Sequence, residues 1–137
     1  MILSVVIDTN VMMVALSPRS DLHWLYKSFL AGEFQLIVST EIKLEYEEQI
    51  AFRYSAATVI EFILILDEAP NVIQHEPFFK WNLISQDPTD NKFADCAISS
   101  AADYLITHDR HFDVLKQISF PTVNVVSAYE FEEIRHF

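Results

Sequence analysis

Five acidic residues, Asp8, Glu45, Asp90, Asp95 and Asp109, stand where a folded chain of this pattern would bring them to one place. Asp8 ends the apolar run Val5-Val6-Ile7. Asp90 opens a helical stretch and Asp95 follows about one turn in. Asp109 comes two residues after Thr107, and Glu45 lies in the segment that starts at Ser39-Thr40. Carboxylates gathered in this way repel one another or raise each other's pKa. A hard divalent cation removes the conflict. Oxygen donors with no thiolate and no histidine pair suit Mg²⁺ or Mn²⁺. Such a cation activates water and stabilises charge on a phosphate in transit, so a phosphodiester is the natural substrate. Each acid also has an ordinary reading. Asp90 and Asp109 could be helix caps, Asp8-Thr9-Asn10 a turn, and Glu45 and Asp95 solvated surface. The joint placement carries the chemistry, not any one residue.

That placement depends on the elements that hold the acids. Val5-Val6-Ile7 reads as a buried parallel strand. Leu22, Leu25, Tyr26, Phe29 and Leu30 follow helical spacing from Ser20, and Gly32 sits where a helix stops. Residues 34–38 form a second strand. Ser39-Thr40 then cap a helix that runs to about Arg53. Residues 56–68 are apolar almost all round, so this helix is either fully buried or meets another subunit. Asn71-Val72-Ile73 is a short strand, and residues 75–89, with two prolines, are irregular. A helix from Asp90-Asn91, a strand Tyr104–Thr107, a helix from Asp109 to Gln117, a strand 122–126 and a helix from Tyr129 complete the chain. Strands alternating with helices predict an α/β fold with a parallel sheet covered on both faces. In such sheets, sites form at the carboxyl ends of the strands, where the following helices also begin. The five acids are expected at that edge.

Length and composition bound the rest. The 137 residues, 51% hydrophobic, suffice for one domain, residues 1–137, with a real core. A single glycine, Gly32, excludes a glycine-rich phosphate loop. A single cysteine, Cys96, excludes an internal disulfide and is expected in or near the core. No apolar run approaches the roughly 20 residues of a membrane span. With no basic leader at the start, the expectation is a cytoplasmic protein without membrane contact. His108 and His111 flank Asp109, but no second pair completes a zinc site. Asp87, in Asp87-Pro88-Thr89, is expected to shape a turn. The net charge of −11 disfavours simple duplex binding, which rests on phosphate neutralisation. Arg19, Lys92 and Arg110 are the basic residues nearest in sequence to the proposed edge and are expected to touch phosphate.

The ordered segments resemble those of PIN-domain ribonucleases, within the branch of toxins of toxin–antitoxin pairs. They are Val6-Ile7-Asp8-Thr9-Asn10, Ser39-Thr40 with Glu45-Tyr46, the run from Asp87 to Asp95, and the run from Ala102 to Asp109. The resemblance implies a three-layer α/β/α sandwich with a short parallel sheet of about five strands. It implies Asp8, Glu45, Asp90 and Asp109 as catalytic acids, with Asp95 as an extra acid. Asp8, Asp90, Asp95 and Asp109 would hold the metal. Asn10 and Thr107 fall where the family keeps small polar groups near the metal. The implied activity is Mg²⁺- or Mn²⁺-dependent endonucleolytic cleavage of single-stranded RNA, commonly by a homodimer held by an antitoxin. His108 stands where many relatives carry a smaller residue and is expected to narrow the mouth of the site. The alternatives are a non-catalytic interaction module on the same fold and an RNA-processing nuclease that is not a toxin.

Overall fold

The computed structural model describes residues 2–135. Strand β1 (Ser4–Ile7) leads to helices α1 (Thr9–Leu16) and α2 (His23–Leu30), then β2 (Gln35–Val38). Helices α3 (Thr40–Arg53) and α4 (Ala56–Glu68) lead to β3 (Val72–Gln74). A long loop ends in a 3-10 turn, Pro88–Asp90, which runs into α5 (Asn91–Ser100) and β4 (Tyr104–Ile106). A 3-10 helix, Arg110–Gln117, precedes β5 (Val125–Val126) and α6 (Ala128–Ile134). Among the described residues no helix is long and apolar enough to cross a membrane.

The strands form one sheet in the order β3-β2-β1-β4-β5, with every neighbouring pair parallel. The central strands are apolar and β-branched because both faces are covered. Val5, Val6, Leu36, Val38, Leu105 and Ile106 are all fully buried. From β1 the chain moves outward through β2 to β3. It then crosses back over the sheet to β4 on the other side of β1. The direction of winding therefore reverses between β1 and β4. At such a reversal the connections leave the two strand ends in opposite directions and open a crevice.

The α/β/α sandwich with its short parallel sheet agrees with the sequence reading. The strand expected over 122–126 is only Val125–Val126, and the helix expected from Asp109 to Gln117 is a 3-10 helix, Arg110–Gln117. Two further segments differ more. The sequence suggested only a turn after Asp8, whereas α1 starts there, capped by the Asp8 side chain. Almost every α1 residue is buried, so no polar stripe marks a helical period. In α4 only Phe62 and Leu66 are buried, while Ile60 and Leu64 face solvent. The helix is thus neither fully buried nor, in this single chain, covered on its outer face.

The loop 75–87 lacks regular structure yet is fastened at several points. The His75 N–H donates to the Val38 carbonyl at 2.8 Å, and the Trp81 N–H donates to Asp95 Oδ1 at 3.1 Å. Buried Asn91 grips buried Ile84 twice: its amide donates to the Ile84 carbonyl at 3.1 Å and its carbonyl accepts the Ile84 N–H at 2.9 Å. Asn91→Ala would leave both Ile84 groups unpaired in the interior, at a cost of about 2 kcal/mol. Alanine favours helix more than asparagine does, so the loss must come from the loop. Urea unfolding should show a lower midpoint for the variant, and an unchanged midpoint would disprove the clamp.

Candidate active site

The crevice between β1 and β4 receives Asp8 and Asp109. Asp8 directly follows β1 and caps α1, its Oδ1 accepting the Val11 N–H at 2.9 Å. Its Oδ2 accepts a short hydrogen bond from the Thr107 hydroxyl. Thr107 directly follows β4, and its oxygen also accepts the Asp109 N–H at 3.0 Å. One threonine therefore fixes acids from two neighbouring strands. Asp109 caps the 3-10 helix behind it by accepting the His111 N–H at 2.9 Å.

The third wall comes from the 3-10 turn before α5. Asp87 caps that turn, its Oδ1 accepting from the Thr89 N–H at 3.2 Å and the Thr89 hydroxyl at 2.6 Å. These bonds hold the Asp87 carboxyl below its ordinary range. Asp90 ends the turn. The carboxylate oxygens of Asp87, Asp90 and Asp109 and a ring nitrogen of His111 lie within 4.8 Å of one another. His111 Nδ1 sits 3.3 Å from Asp109 Oδ1 and 3.7 Å from Asp90 Oδ2. Asp90 Oδ2 and His111 Nδ1 are buried, and neither has a hydrogen-bond partner among the described residues.

Glu45 reaches the same cleft from α3. Its side chain accepts a short hydrogen bond from the Thr9 hydroxyl and an ion pair from Lys92 at 2.7 Å. Lys92 also donates to the Thr89 carbonyl at 2.6 Å. Next to Glu45, Tyr46 is wholly buried and donates to the Ile7 carbonyl, which pins α3 to the end of β1. The resulting cleft of about 210 Å³ is lined by Asp8, Asn10, Glu45, Asp87, Asp90 and Asp109, among others.

The electrostatics match the crowding. Burial pushes the Asp8 carboxyl up, against the opposing pull of Thr107 and the Val11 N–H. Asp90 is pushed up to about 7, by burial first, then by the charges of Asp87 and Asp109, by a hydrogen bond that its protonated form can give Asp109, and by the charge of Asp8. The site thus carries more negative charge than it can hold ionised without a counter-ion. The unpartnered oxygen of Asp90 and the close-set donors of Asp87, Asp109 and His111 fit a divalent cation.

The structure brings Asp8, Glu45, Asp90, Asp109 and Asn10 to this cleft, but not Asp95. Successive helical residues turn by about 100°, so a side chain five residues past Asp90 points well away. Asp95 is buried on another side of α5, bound to the Trp81 N–H. The groups that lie beside Asp90 are instead Asp87, Asp109 and His111. The signal for Asp87 and His111 was their spacing, since a capping aspartate and a histidine flank Asp90 and Asp109 on tight turns. Thr107 acts on the acids rather than on open space, and Lys92 is held by Glu45. His108 does not narrow the mouth: it turns away, stacks on Tyr129 at 5.4 Å and accepts the Ala128 N–H at 3.0 Å. Arg110 is exposed at the start of the 3-10 helix, and Arg19 is exposed on the loop after α1.

A PIN domain family model matches residues 4–111, a span that includes every acid of the cleft and His111. Among solved structures, a chain of VapBC2 from Rickettsia felis, bound to a DNA fragment from its promoter, has a TM-score of 0.63 at 16% identity. The match covers 91% of this chain and 98% of that one. A chain of FitAcB from Neisseria gonorrhoeae has a TM-score of 0.57 at 16% identity, again over 91% and 98%. A chain of FitAB bound to a DNA fragment has a TM-score of 0.57 at 14% identity, over 91% and 95%. At these identities the likeness is one of fold. No curated protein matches the chain in sequence.

The raised pKa of Asp90 has a consequence for stability. Its proton is held up to about pH 7 in the folded chain, against an ordinary value of 3.8. Between those values the folded state binds more protons than the unfolded one, so the metal-free protein loses stability as pH rises through that window. Asp90→Asn removes the loss. In EDTA its Tm should exceed that of the wild type by a few degrees at pH 8 and match it at pH 4. Equal differences at the two pH values would mean that charge is not the cause.

Proposed function

The chain belongs to the PIN-domain family, and from that premise we propose that it is a metal-dependent endoribonuclease that cuts single-stranded RNA. The observation that carries this reading is the buried Asp90 oxygen, left without a partner among Asp87, Asp109 and His111. Capping explains Asp87 and Asp109 singly, but setting these like charges so close together costs stability that a cation would offset. Asp87, Asp90, Asp109 and His111 would hold the ion, with Asp8 beside them. Carboxylates suit Mg²⁺ and Mn²⁺, and the imidazole of His111 moves the preference toward Mn²⁺. When bound, the ion supplies a Lewis acid for the phosphate and lowers the pKa of a water molecule.

The chain's own residues set the geometry around it. Thr107 fixes Asp8 and Asp109 at a constant separation, so the ligands need not reorganise during the reaction. Glu45 lines the opposite wall, oriented by Thr9 and Lys92. From there its carboxylate accepts a hydrogen bond from an attacking water and orients it. Asn10, exposed at the rim, offers an amide to the incoming strand.

The choice of RNA rests on the resemblance, and so does the role of toxin in a toxin–antitoxin pair. The fold shared with chains of VapBC2 and FitAB assemblies supports the second point. A homodimer is supported by α4, whose exposed Ile60 and Leu64 form an apolar strip with Leu30. The cytoplasm is the expected compartment.

The test is cleavage of a single-stranded RNA in Mn²⁺ or Mg²⁺. EDTA should abolish it. Asp8→Asn and Asp90→Asn should each lower the rate by about 100-fold or more, the scale of losing one group that stabilises developing charge. Full activity in EDTA, or in Asp8→Asn, would refute the site. Growth arrest on expression, relieved by co-expression of an adjacent gene, would mark a toxin.

A further inference from the structure

Beside the acidic cleft lies a second one, of about 460 Å³, that metal chemistry leaves without a role. The two meet at the turn before α5. Thr89 lines both, and Lys92 lines the second while its ammonium holds Glu45 of the first. The outer wall of the second cleft is the loop after β3, which carries Phe78 at 95% and Phe79 at 61% exposure. Exposed rings forfeit the free energy of burial, about 25 cal/mol per Å², and nothing in the core needs them there. The loop that carries them is nonetheless held firmly. Glu76 accepts the Thr40 N–H at 2.8 Å, His75 bonds Ser99 at 2.8 Å, and Trp81 is tied to Asp95. The Phe79 and Trp81 rings also pack edge to face at 4.8 Å. Two aromatic faces are therefore presented to solvent on a fixed backbone, with the carboxylates of Asp95 and Glu41 lining the same cleft.

We propose that this cleft is a base-recognition subsite in which an unpaired guanine of the RNA strand is bound while an adjacent phosphate lies in the acidic cleft. The proposal rests on the nuclease reading and adds the substrate preference of that site. Stacking on exposed aromatic rings is one way proteins hold single-stranded bases. The carboxylates then choose the base. An ionised carboxylate only accepts hydrogen bonds. Guanine presents two N–H donors side by side on its Watson–Crick edge, the ring N–H and the exocyclic amine. Adenine and cytosine set one amine beside a ring acceptor that a carboxylate repels, and uracil sets one N–H between two carbonyls. Lys80 at the cleft wall partly balances the acids and would lie toward the sugar-phosphate chain, while Lys92 stays with Glu45. Asp95, which does not reach the metal cluster, acquires a role here.

The test is binding, kept apart from cleavage. The probe is a short uridine tract with one central guanine, compared with the same tract carrying inosine or uridine at that place. Affinity is read from quenching of Trp81 in EDTA, with enough monovalent salt to screen the protein's acidity. The guanine strand should bind about tenfold more tightly than the uridine strand, and inosine should fall between. The double variant Phe78→Ala, Phe79→Ala alters only exposed side chains, so it folds, and it should lose about tenfold in affinity for the guanine strand. Asp95→Asn keeps an acceptor for the Trp81 N–H and should erase the preference for guanine over uridine. Equal affinity for the three strands, or an unaffected double variant, would overturn the subsite. Guanine-selective binding without any cleavage in Mn²⁺ would uphold the subsite and sink the nuclease reading. Cleavage without base preference would do the reverse.

Discussion

Mutual repulsion among carboxylates is the constraint around which this fold is arranged. Asp8, Asp87, Asp90 and Asp109 approach one another from three separate segments, and burial makes their shared charge costlier still. A chain selected for stability alone would separate them. Here strong local bonds keep them together: Asp8, Asp87 and Asp109 each cap the element that follows, accepting a backbone N–H from its first turn. A cap contributes about 1 kcal/mol, so each acid is anchored by the start of its own helix or turn. Capping and the proposed metal binding are compatible uses of one carboxylate, because a backbone cap engages only one of its two oxygens.

The sheet order turns these local anchors into a site. With winding reversed between β1 and β4, Asp8 and Asp109 emerge on adjacent strands whose following elements diverge. The gap between them is filled from above by the turn that starts α5. That turn sits at the end of a long irregular loop, and Asn91 ties the loop to the helix. The order of causes runs from apolar strands, to a reversal point, to capped helix starts, to a cluster of acids. Thr107 connects the first and last steps, because it directly follows β4 and bonds both Asp8 and the backbone of Asp109.

Most of this was legible in the sequence where local chemistry decided it. The bounds of α3 were readable because Ser39 is a capping residue ahead of a long run of helix formers, and the end of α4 because Pro70 cannot continue a helix. The strands could be read because buried parallel strands have few other compositions. What failed was rotation and contact. Asp95 looked like a partner of Asp90 on spacing along the axis, but five residues carry a side chain to another side of the helix. Asp87 looked like a turn residue, and it is; His111 was legible only as a neighbour of Asp109, and the fold alone brings its ring nitrogen within 3.7 Å of Asp90 Oδ2. α1 escaped notice because burial on nearly all sides erases the period by which helices are recognised.

The acidity of the chain bears on the proposal that it acts on RNA, a polyanion. Of its nine basic residues, several are already neutralised. Lys92 pairs with Glu45, Lys43 with Asp67, Lys116 with Asp113, and Arg135 with Glu33 while lying over Trp24. A binding mode built on phosphate neutralisation would therefore have few free cations and would fail steeply as salt rises. Two other sources of attraction remain. A divalent ion in the acidic cleft reverses the local sign of the field where a phosphate must sit. Aromatic faces beside it grip bases without regard to charge. On the proposed reading, the protein's negative surface would repel RNA except where a bound cation and the aromatic rings lie together, and the acidity itself would become a source of selectivity.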